Sequence, residues 1–355
     1  MKYKIEHIAL KTLSALLLIT IGSMLTACSS DSTYEDSEPA EESMNGLQVV
    51  SFTRSGGFGD PVVDGYSPLR LYLYSLEDGS QTELFYHNSV DNIWKSKLEV
   101  TAGRNYAIYG CAPATACTAE LQTPTLTGAT LKLSNVKAVT ADDVCVVIGV
   151  QQLEAPTDAP NIKQGVFNYT GKAKTEANVN NYVHLLMDHV MAALQMDIKI
   201  NATYATLRSI KLKKMELSTT KGTVDITIPL TANDTEANPI GAVTYTNLGG
   251  TSSSAIFFES ETGVELKTTE SNDALTATCC FAPTTDVSNN LKLTTTYDVY
   301  DRKGNFIGER TATNKLPNLT AATWGQRVKL TMTVNPTYLY MLSDPDLDNP
   351  TLTID

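Results

Sequence analysis

The chain has 355 residues, enough for two domains of ordinary size, and its 39 acidic residues outnumber its 27 Lys and Arg residues to give a net charge of −12. This acidic balance argues against a nucleic-acid partner, because Lys and Arg are what bind phosphates. It also argues against a polybasic membrane-binding surface. With four His and no zinc-ligand spacing, the sequence predicts no metal centre and no cofactor.

The first 27 residues are typical of an export signal. Lys2, Lys4 and Lys11 precede an apolar run over residues 14–24, and Leu-Thr-Ala-Cys at residues 25–28 closes it. The run is too short for a membrane-spanning helix. A Cys directly after Leu-Thr-Ala resembles the bacterial lipobox, which implies cleavage before Cys28 and acylation of that residue. The alternative is an exported protein in which Cys28 merely falls at this place.

The remainder of the chain is predicted to be a tether followed by two all-β domains. Residues 28–45 are rich in Ser, Asp and Glu and predict a disordered acidic tether. Short strands between Gly, Asn and Pro turns then favour β-sandwiches over an α/β fold. The polar run at 171–181 predicts a boundary between an N-terminal β-sandwich at 46–176 and a C-terminal one at 177–355.

Period-two alternation of apolar and polar residues locates the strands. It is clearest at residues 69–74, 194–200, 210–213, 224–228 and 328–334. The run at 301–305 predicts a hairpin turn. The apolar stretch at 184–193 favours a buried strand, with a helix as the alternative.

The sequence offers few candidates for chemistry. His184 and His189 flank Asp188, but no third ligand lies nearby in the sequence, which favours positions in a core strand over a metal or acid–base site. Because neither a nucleophile elbow nor a phosphate-binding glycine loop is present, the sequence predicts no enzyme.

Five cysteines follow Cys28, and the sequence leaves their redox state open. Cys111 and Cys117 are close enough in the chain to bridge a loop in an oxidising compartment, or they remain thiols. The others are Cys145 and the neighbours Cys279 and Cys280.

Three stretches resemble the fimbrillin family of Bacteroidetes, the lipoprotein-derived subunits of type V pili. They are the first strand LQVVSFTR, the mid-chain segment YVHLLMDHVMAALQMDIKI and the closing segment WGQRVKLTMTVNPTYLYML. The similarity covers essentially the whole chain. It implies two tandem transthyretin-like Greek-key β-sandwich domains, no cofactor, and an outer-membrane lipoprotein precursor that becomes part of a cell-surface fimbria.

The resemblance also implies how the subunits assemble. An Arg-specific protease removes the first strand, and the C-terminal strand of another subunit fills the groove. The expected cleavage site is Arg54, since Arg70 lies within a predicted strand. The displaced strand is expected at an edge of the first sandwich, and its apolar residues are Leu47, Val49, Val50 and Phe52. The donor residues are expected in the tail at 338–355, namely Tyr338, Tyr340, Leu342, Leu352 and Ile354. Alternatively, that tail is the last strand of its own domain.

Three functions remain in competition. The first is a shaft or tip subunit, and the second is a membrane-bound fimbrial anchor that keeps Cys28 and is never cut. The third is a surface glycan-binding lipoprotein, which needs exposed aromatic platforms. The presence of only Trp94 and Trp324 counts against that third function.

Overall fold

Strands make up nearly all of the regular structure in the part of the chain that the computed structural model describes. That part comprises residues 46–54, 69–87, 93–155, 157–158, 167–173, 181–231, 243–269, 278–316, 319, 321–334 and 353–354. The predicted signal, Cys28 and the predicted tether lie outside it. No helix within these ranges is long and apolar enough to cross a membrane.

The first half of the described chain forms eleven strands, most of them rich in Val, Ile, Tyr and Thr. They are β1 (Gly46–Arg54), β2 (Arg70–Ser75), β3 (Gln81–His87), β4 (Ile93–Glu99), β5 (Asn105–Ala112), β6 (Thr118–Gln122), β7 (Gly128–Lys137), β8 (Val139–Thr140), β9 (Cys145–Leu153), β10 (Asn168–Thr170) and β11 (Asn181–His189).

The second half adds ten strands and two single-turn helices. The strands are β12 (Ala192–Ile200), β13 (Ser209–Thr219), β14 (Thr223–Thr231), β15 (Thr244–Gly249), β16 (Ser253–Glu265), β17 (Thr278–Phe281), β18 (Lys292–Tyr300), β19 (Phe306–Lys315), β20 (Arg327–Val334) and β21 (Thr353–Ile354). The helices are α1 (Ala202–Ala205) and α2 (Thr285–Ser288). The prediction of an all-β protein is confirmed.

The five stretches with clear alternation all form strands, as predicted: β2, β12, β13, β14 and β20. The buried strand expected at 184–193 is present as β11 and the start of β12. The predicted hairpin is also confirmed, because β18 and β19 pair antiparallel around residues 301–305. Within that turn, a carboxylate oxygen of Asp301 accepts hydrogen bonds from the backbone N–H groups of Lys303 and Asn305, both at 2.8 Å.

The largest sheet closes on itself. Its strand order is β10-β5-β2-β3-β4-β1-β11-β9, and a further pairing of β5 with β9 joins its two sides into a ring of seven strands. At Gly110 in β5, a Cβ atom would lie 2.1 Å from the carbonyl oxygen of Arg70 on β2. Only glycine therefore permits the two backbones to approach this closely.

Two separate hydrophobic cores fill the described structure. The smaller core draws most of its buried residues from the ring strands, among them Leu47, Leu71, Trp94 and Met187. The larger core lies among the other three sheets and the outer faces of β5, β9 and β11. These three strands bury both of their faces, which explains why their sequences are apolar almost throughout instead of alternating.

The remaining sheets have the orders β21-β20-β12-β17-β8, β16-β13-β18-β19 and β15-β14-β7-β6. Two of them, and the ring as well, combine strands from both sides of the boundary predicted between residues 176 and 177. Strands β6 and β7 share a sheet with β14 and β15, β8 pairs with β17, and β11 lies in the ring beside β1. A division of the chain at that point therefore does not separate the sheets.

Candidate functional site

The first strand, β1, is one of the strands that form the ring, and it has a hydrogen-bonded neighbour on each side. It pairs antiparallel with β4, where Val49 is opposite Trp94, and parallel with β11, where Val49 is opposite Val183. The prediction of an edge strand was therefore wrong. Alternation in a sequence reports which face of a strand is buried, and it carries no information about which strands lie alongside.

Two apolar side chains hold β1 in the smaller core. Leu47 is 0% exposed and Val49 is 1% exposed, and both belong to the cluster that contains Trp94. Gln48 lies between them on the other face and is half-buried. Burying two such side chains contributes roughly 3–6 kcal/mol, so β1 is a tightly held part of this core.

A bulge interrupts the pairing in the middle of β1. The register with β11 shifts between Val49 and Ser51, and Val50, which lies at the shift, is half-buried. Of the four apolar residues predicted on the displaced strand, Leu47 and Val49 thus lie in the core and Val50 is partly exposed. Phe52 is opposite Leu185 on β11.

Lys95 and His184 are among the buried polar residues of the two flanking strands. Lys95 of β4 is opposite Gln48 and is 8% exposed, whereas His184 of β11 is opposite Ser51 and is 1% exposed. Burial lowers the pKa of His184 from its ordinary value of 6.5, because the charged form of the ring is poorly solvated there. The imidazole beside β1 is therefore neutral at physiological pH.

Arg54 is the final residue of β1. The strand extends two residues beyond the predicted end at Phe52, and Arg54 is opposite Met187 on β11. Residues 55–68, which include the Gly-rich stretch, lie outside the described part. Arg70, the less favoured arginine, begins β2, and its side chain lies 3.3 Å from a carboxylate oxygen of Glu83.

Most of the predicted donor strand lies outside the described residues, including Tyr338, Tyr340, Leu342 and Leu352. The exception is Ile354, which with Thr353 forms β21. This short strand pairs antiparallel with β20 at an edge of the five-stranded sheet, with Ile354 opposite Leu330.

A polar cluster surrounds His189 that no sequence pattern indicated. Single ligand atoms of Asp143, Cys145 and His189 lie within 4.8 Å of one another. No third ligand lies near this histidine in the sequence, but β9 pairs with β11 and places Cys145 opposite His189. Cys145 and His189 are 44 residues apart in the sequence, so the cluster becomes visible only once the pairing of β9 with β11 is known.

The geometry around His189 is that of a hydrogen-bonded group. Its Nδ1 atom lies 2.7 Å from a carboxylate oxygen of Asp143 and 3.4 Å from the sulfur of Cys145. A nucleophile–base–acid relay uses opposite nitrogens of the imidazole, whereas both neighbours here approach the same nitrogen. His184, Asp188 and His189 all lie buried on β11, and the preference for core-strand positions agrees with that placement.

Comparison with known proteins identifies similar solved structures. No protein-family model and no curated protein matches the chain. A fimbrial protein from Bacteroides vulgatus is 13% identical over 86% of this chain and 97% of its own, with a TM-score of 0.41. The fimbrial anchor protein Mfa2 from Porphyromonas gingivalis is 12% identical over 87% and 95%, with a TM-score of 0.27.

A third match is a Bacteroides thetaiotaomicron structure assigned to polysaccharide binding. It is 12% identical over 83% of this chain and 93% of its own, with a TM-score of 0.33. Two of these three structures are of fimbrial proteins, at 12–13% identity to this chain.

Proposed function

We propose that this protein is a structural subunit, in the shaft or at the tip, of a cell-surface fimbria that supports adhesion. Its precursor loses β1 to an Arg-specific protease, and the C-terminal strand of another subunit occupies the vacated place. The observation that carries the proposal is the position of β1, between β4 and β11 and over the smaller core.

Loss of β1 has two physical consequences. It leaves β4 and β11 each with one unpaired side, so that two rows of backbone N–H and C=O groups face an open slot. It also uncovers the apolar residues on which Leu47 and Val49 pack, including Trp94. A slot with two open strand edges and an apolar floor suits the addition of a strand, in which backbone bonds supply affinity and alternate side chains supply fit.

Arg54 is suited to be the cleaved residue. It ends β1, and Gly56 and Gly57 follow shortly after it. Proteases bind their substrates as extended, unpaired chain, and the last pairs of a strand open more readily than its centre. Cleavage there severs the whole of β1 from the remaining ring.

The donor is proposed to be the tail at 338–355. Its described end, β21, has only two residues and lies at a sheet edge. Separating a two-residue strand from β20 costs little free energy, so the tail is available to a neighbouring subunit. Apolar residues at Tyr338, Tyr340, Leu342, Leu352 and Ile354 would then take the places of the β1 side chains.

The proposal also covers the division of the chain into domains and the cellular location of the precursor. Two tandem transthyretin-like Greek-key sandwiches are the expected domains; the described chain has two hydrophobic cores, and β5, β9 and β11 contact both of them. The precursor is expected to be held at the outer membrane through acylated Cys28, and its partners are other fimbrial subunits and the protease.

The experiment compares protease-treated wild-type chain with Arg54→Ala, using Arg70→Ala as the matched control at a second arginine. Wild type and Arg70→Ala should be cut after residue 54 and form polymers, whereas Arg54→Ala should remain uncut and monomeric. Cleaved wild-type chain that stays monomeric at high concentration would overturn the shaft role. If no cleavage occurs and Cys28 stays acylated, the protein is an anchor subunit.

The glycan-binding alternative has less support in the described residues. Trp94 is 4% exposed and packs in the smaller core, and Trp324 is half-buried against the larger one. Trp94 is therefore closed to a stacked sugar, and Trp324 is only partly exposed.

A further inference from the structure

Two cysteine sulfurs lie in abnormally close contact where the chain leaves the ring. The Sγ atoms of Cys111 and Cys117 are 2.7 Å apart, although no bond joins them in the structure. A disulfide bond is about 2.05 Å long, and sulfur atoms that are not bonded normally stay well beyond 3 Å apart. The two side chains therefore already point at each other as a bonded pair would.

The backbone around this pair suits a cross-link. Cys111 is the penultimate residue of β5, Cys117 directly precedes β6, and the four residues after Ala112 form the turn between them. Strand β5 belongs to the ring, whereas β6 is an edge strand of a different sheet, where β7 is its partner among the described strands. A bond between the two sulfurs would fasten that edge strand to the ring.

We propose that Cys111 and Cys117 form a disulfide bond in the mature protein. The inference does not depend on the fimbrial function. Oxidation proceeds by thiol–disulfide exchange with a protein or small-molecule disulfide. The thiolate of one cysteine attacks the oxidant and forms a mixed disulfide, one thiol of the oxidant leaves, and the second cysteine then displaces the other. The two cysteines lose two protons and two electrons, and the oxidant disulfide gains them as two thiols.

The groups around Cys111 favour its attack on the oxidant, which is the first step of disulfide formation. The hydrogen bond from Cys117 lowers the pKa of the Cys111 thiol, and the positive charge of Arg70 acts in the same direction. A larger thiolate fraction on Cys111 increases its rate of attack on a disulfide. Both sulfurs are buried, at 0% and 7% exposure, so the exchange accompanies folding of the turn, and the finished bond is shielded from reductants.

The other three cysteines provide an internal control. Cys145, Cys279 and Cys280 are also buried, and burial raises the pKa of Cys279 to about 12. Cys279 and Cys280 are neighbours in β17, so their side chains point to opposite faces of the strand, and the sulfur of Cys145 lies 3.4 Å from Nδ1 of His189. They should remain thiols under conditions that oxidise the pair.

The test measures thiols in the full-length chain after refolding with glutathione disulfide. The protein is unfolded, alkylated with iodoacetamide without reductant, and digested with trypsin. Cys111 and Cys117 then fall in a single peptide, residues 105–132. We expect that peptide to be unalkylated and two hydrogen atoms lighter than its reduced form, while the peptides that carry Cys145, Cys279 and Cys280 are alkylated. Alkylation of both Cys111 and Cys117 in the refolded protein would overturn the proposal.

A second measurement uses stability. Closing so short a loop should raise the melting temperature by roughly 5 °C. Reductant should therefore lower the melting temperature of the wild type by that amount and leave a Cys117→Ser variant unchanged. If the variant does not fold, the wild type alone decides the question: a melting temperature insensitive to reductant, together with an alkylated peptide, contradicts the bond.

Discussion

Leu47 and Gln48 are adjacent residues of β1 with opposite surroundings. Leu47 is fully buried in the smaller core, whereas Gln48 lies on the other face. Replacing Leu47 with Ala should lower the free energy of unfolding of the uncut chain by about 2–5 kcal/mol, and Gln48→Ala should lower it by less than about 1 kcal/mol. Urea denaturation measures both. Equal losses would contradict the view that the core face of β1 holds the strand in the ring.

His184 gives β11 a dependence on pH. Its folded pKa is lowered by burial below the ordinary value of 6.5, so the unfolded chain binds a proton more readily than the folded chain does. Stability is then complete above pH 6.5 and declines as the pH falls from 6.5 towards the lower, folded value. Melting temperatures measured from pH 8 to pH 5 should show this decline for the wild type.

The control for that titration is His184→Gln, which keeps a polar side chain and removes the titrating ring. Its melting temperature should change less between pH 7 and pH 5 than that of the wild type. Identical pH profiles for the two proteins would show that the lowered pKa of His184 contributes nothing to stability.

At residue level, the sequence predicted which side chains point inward but not which distant groups meet. Leu47 and Val49 were expected on one face of β1 and lie in the core. Asp143 and Cys145 gave no sign of their proximity to His189, because the pairing of β9 with β11 creates it. Periodicity is a local property, whereas such a cluster depends on contacts between distant parts of the chain.

Strand β1 is an element that should be removable and replaceable. After cleavage at Arg54 and removal of the severed strand, the protein should melt at a lower temperature than the intact chain. A synthetic peptide of residues 46–54 should raise that temperature again, because a ligand that binds only the folded state stabilises it. The same peptide with Asp in place of Leu47 and Val49 should have no effect. If both peptides act alike, the slot does not recognise the apolar face of β1.

The elements themselves were largely predictable, whereas their lateral order was not. Strands β12, β14 and β20 alternate clearly, and all three form where the pattern places them. The prediction of an edge position for β1 failed, because alternation does not distinguish a strand with one neighbour from a strand with two. The long apolar run of β11 indicated a buried strand. The structure explains that run, because each face of β11 packs against one of the two cores.

For the molecule as a whole, composition marked a boundary that the sheets do not follow. The polar run at 171–181 separates two apolar regions, yet β11, which follows it, completes the ring that β1 begins. Polar segments mark surface loops, and a loop need not separate domains. The two cores are instead divided by β5, β9 and β11, which contact both.

Attachment to a membrane is expected to depend on a single residue. Replacing Cys28 with Ala should move the protein from the membrane fraction to the soluble fraction and abolish labelling by a radioactive fatty acid, because the acyl chains provide the affinity for the bilayer. Replacing Ser29 with Ala is the matched control and should change neither property. A wild-type protein that takes up no fatty acid would contradict the proposed lipidation.

The most direct test of the proposed assembly mixes two variants, each of which lacks one half of the subunit junction. A chain without residues 347–355 can be cut and opened but lacks the end of its donor, whereas Arg54→Ala keeps its tail and a filled slot. With protease present, each variant alone should remain monomeric, and the mixture should form one-to-one dimers and nothing longer, as measured by light scattering on a sizing column. The cleaved wild type should form long polymers under the same conditions. If the mixture contains no dimers, or if the tail-deleted chain polymerises alone, the tail of one subunit does not fill the β1 slot of the next.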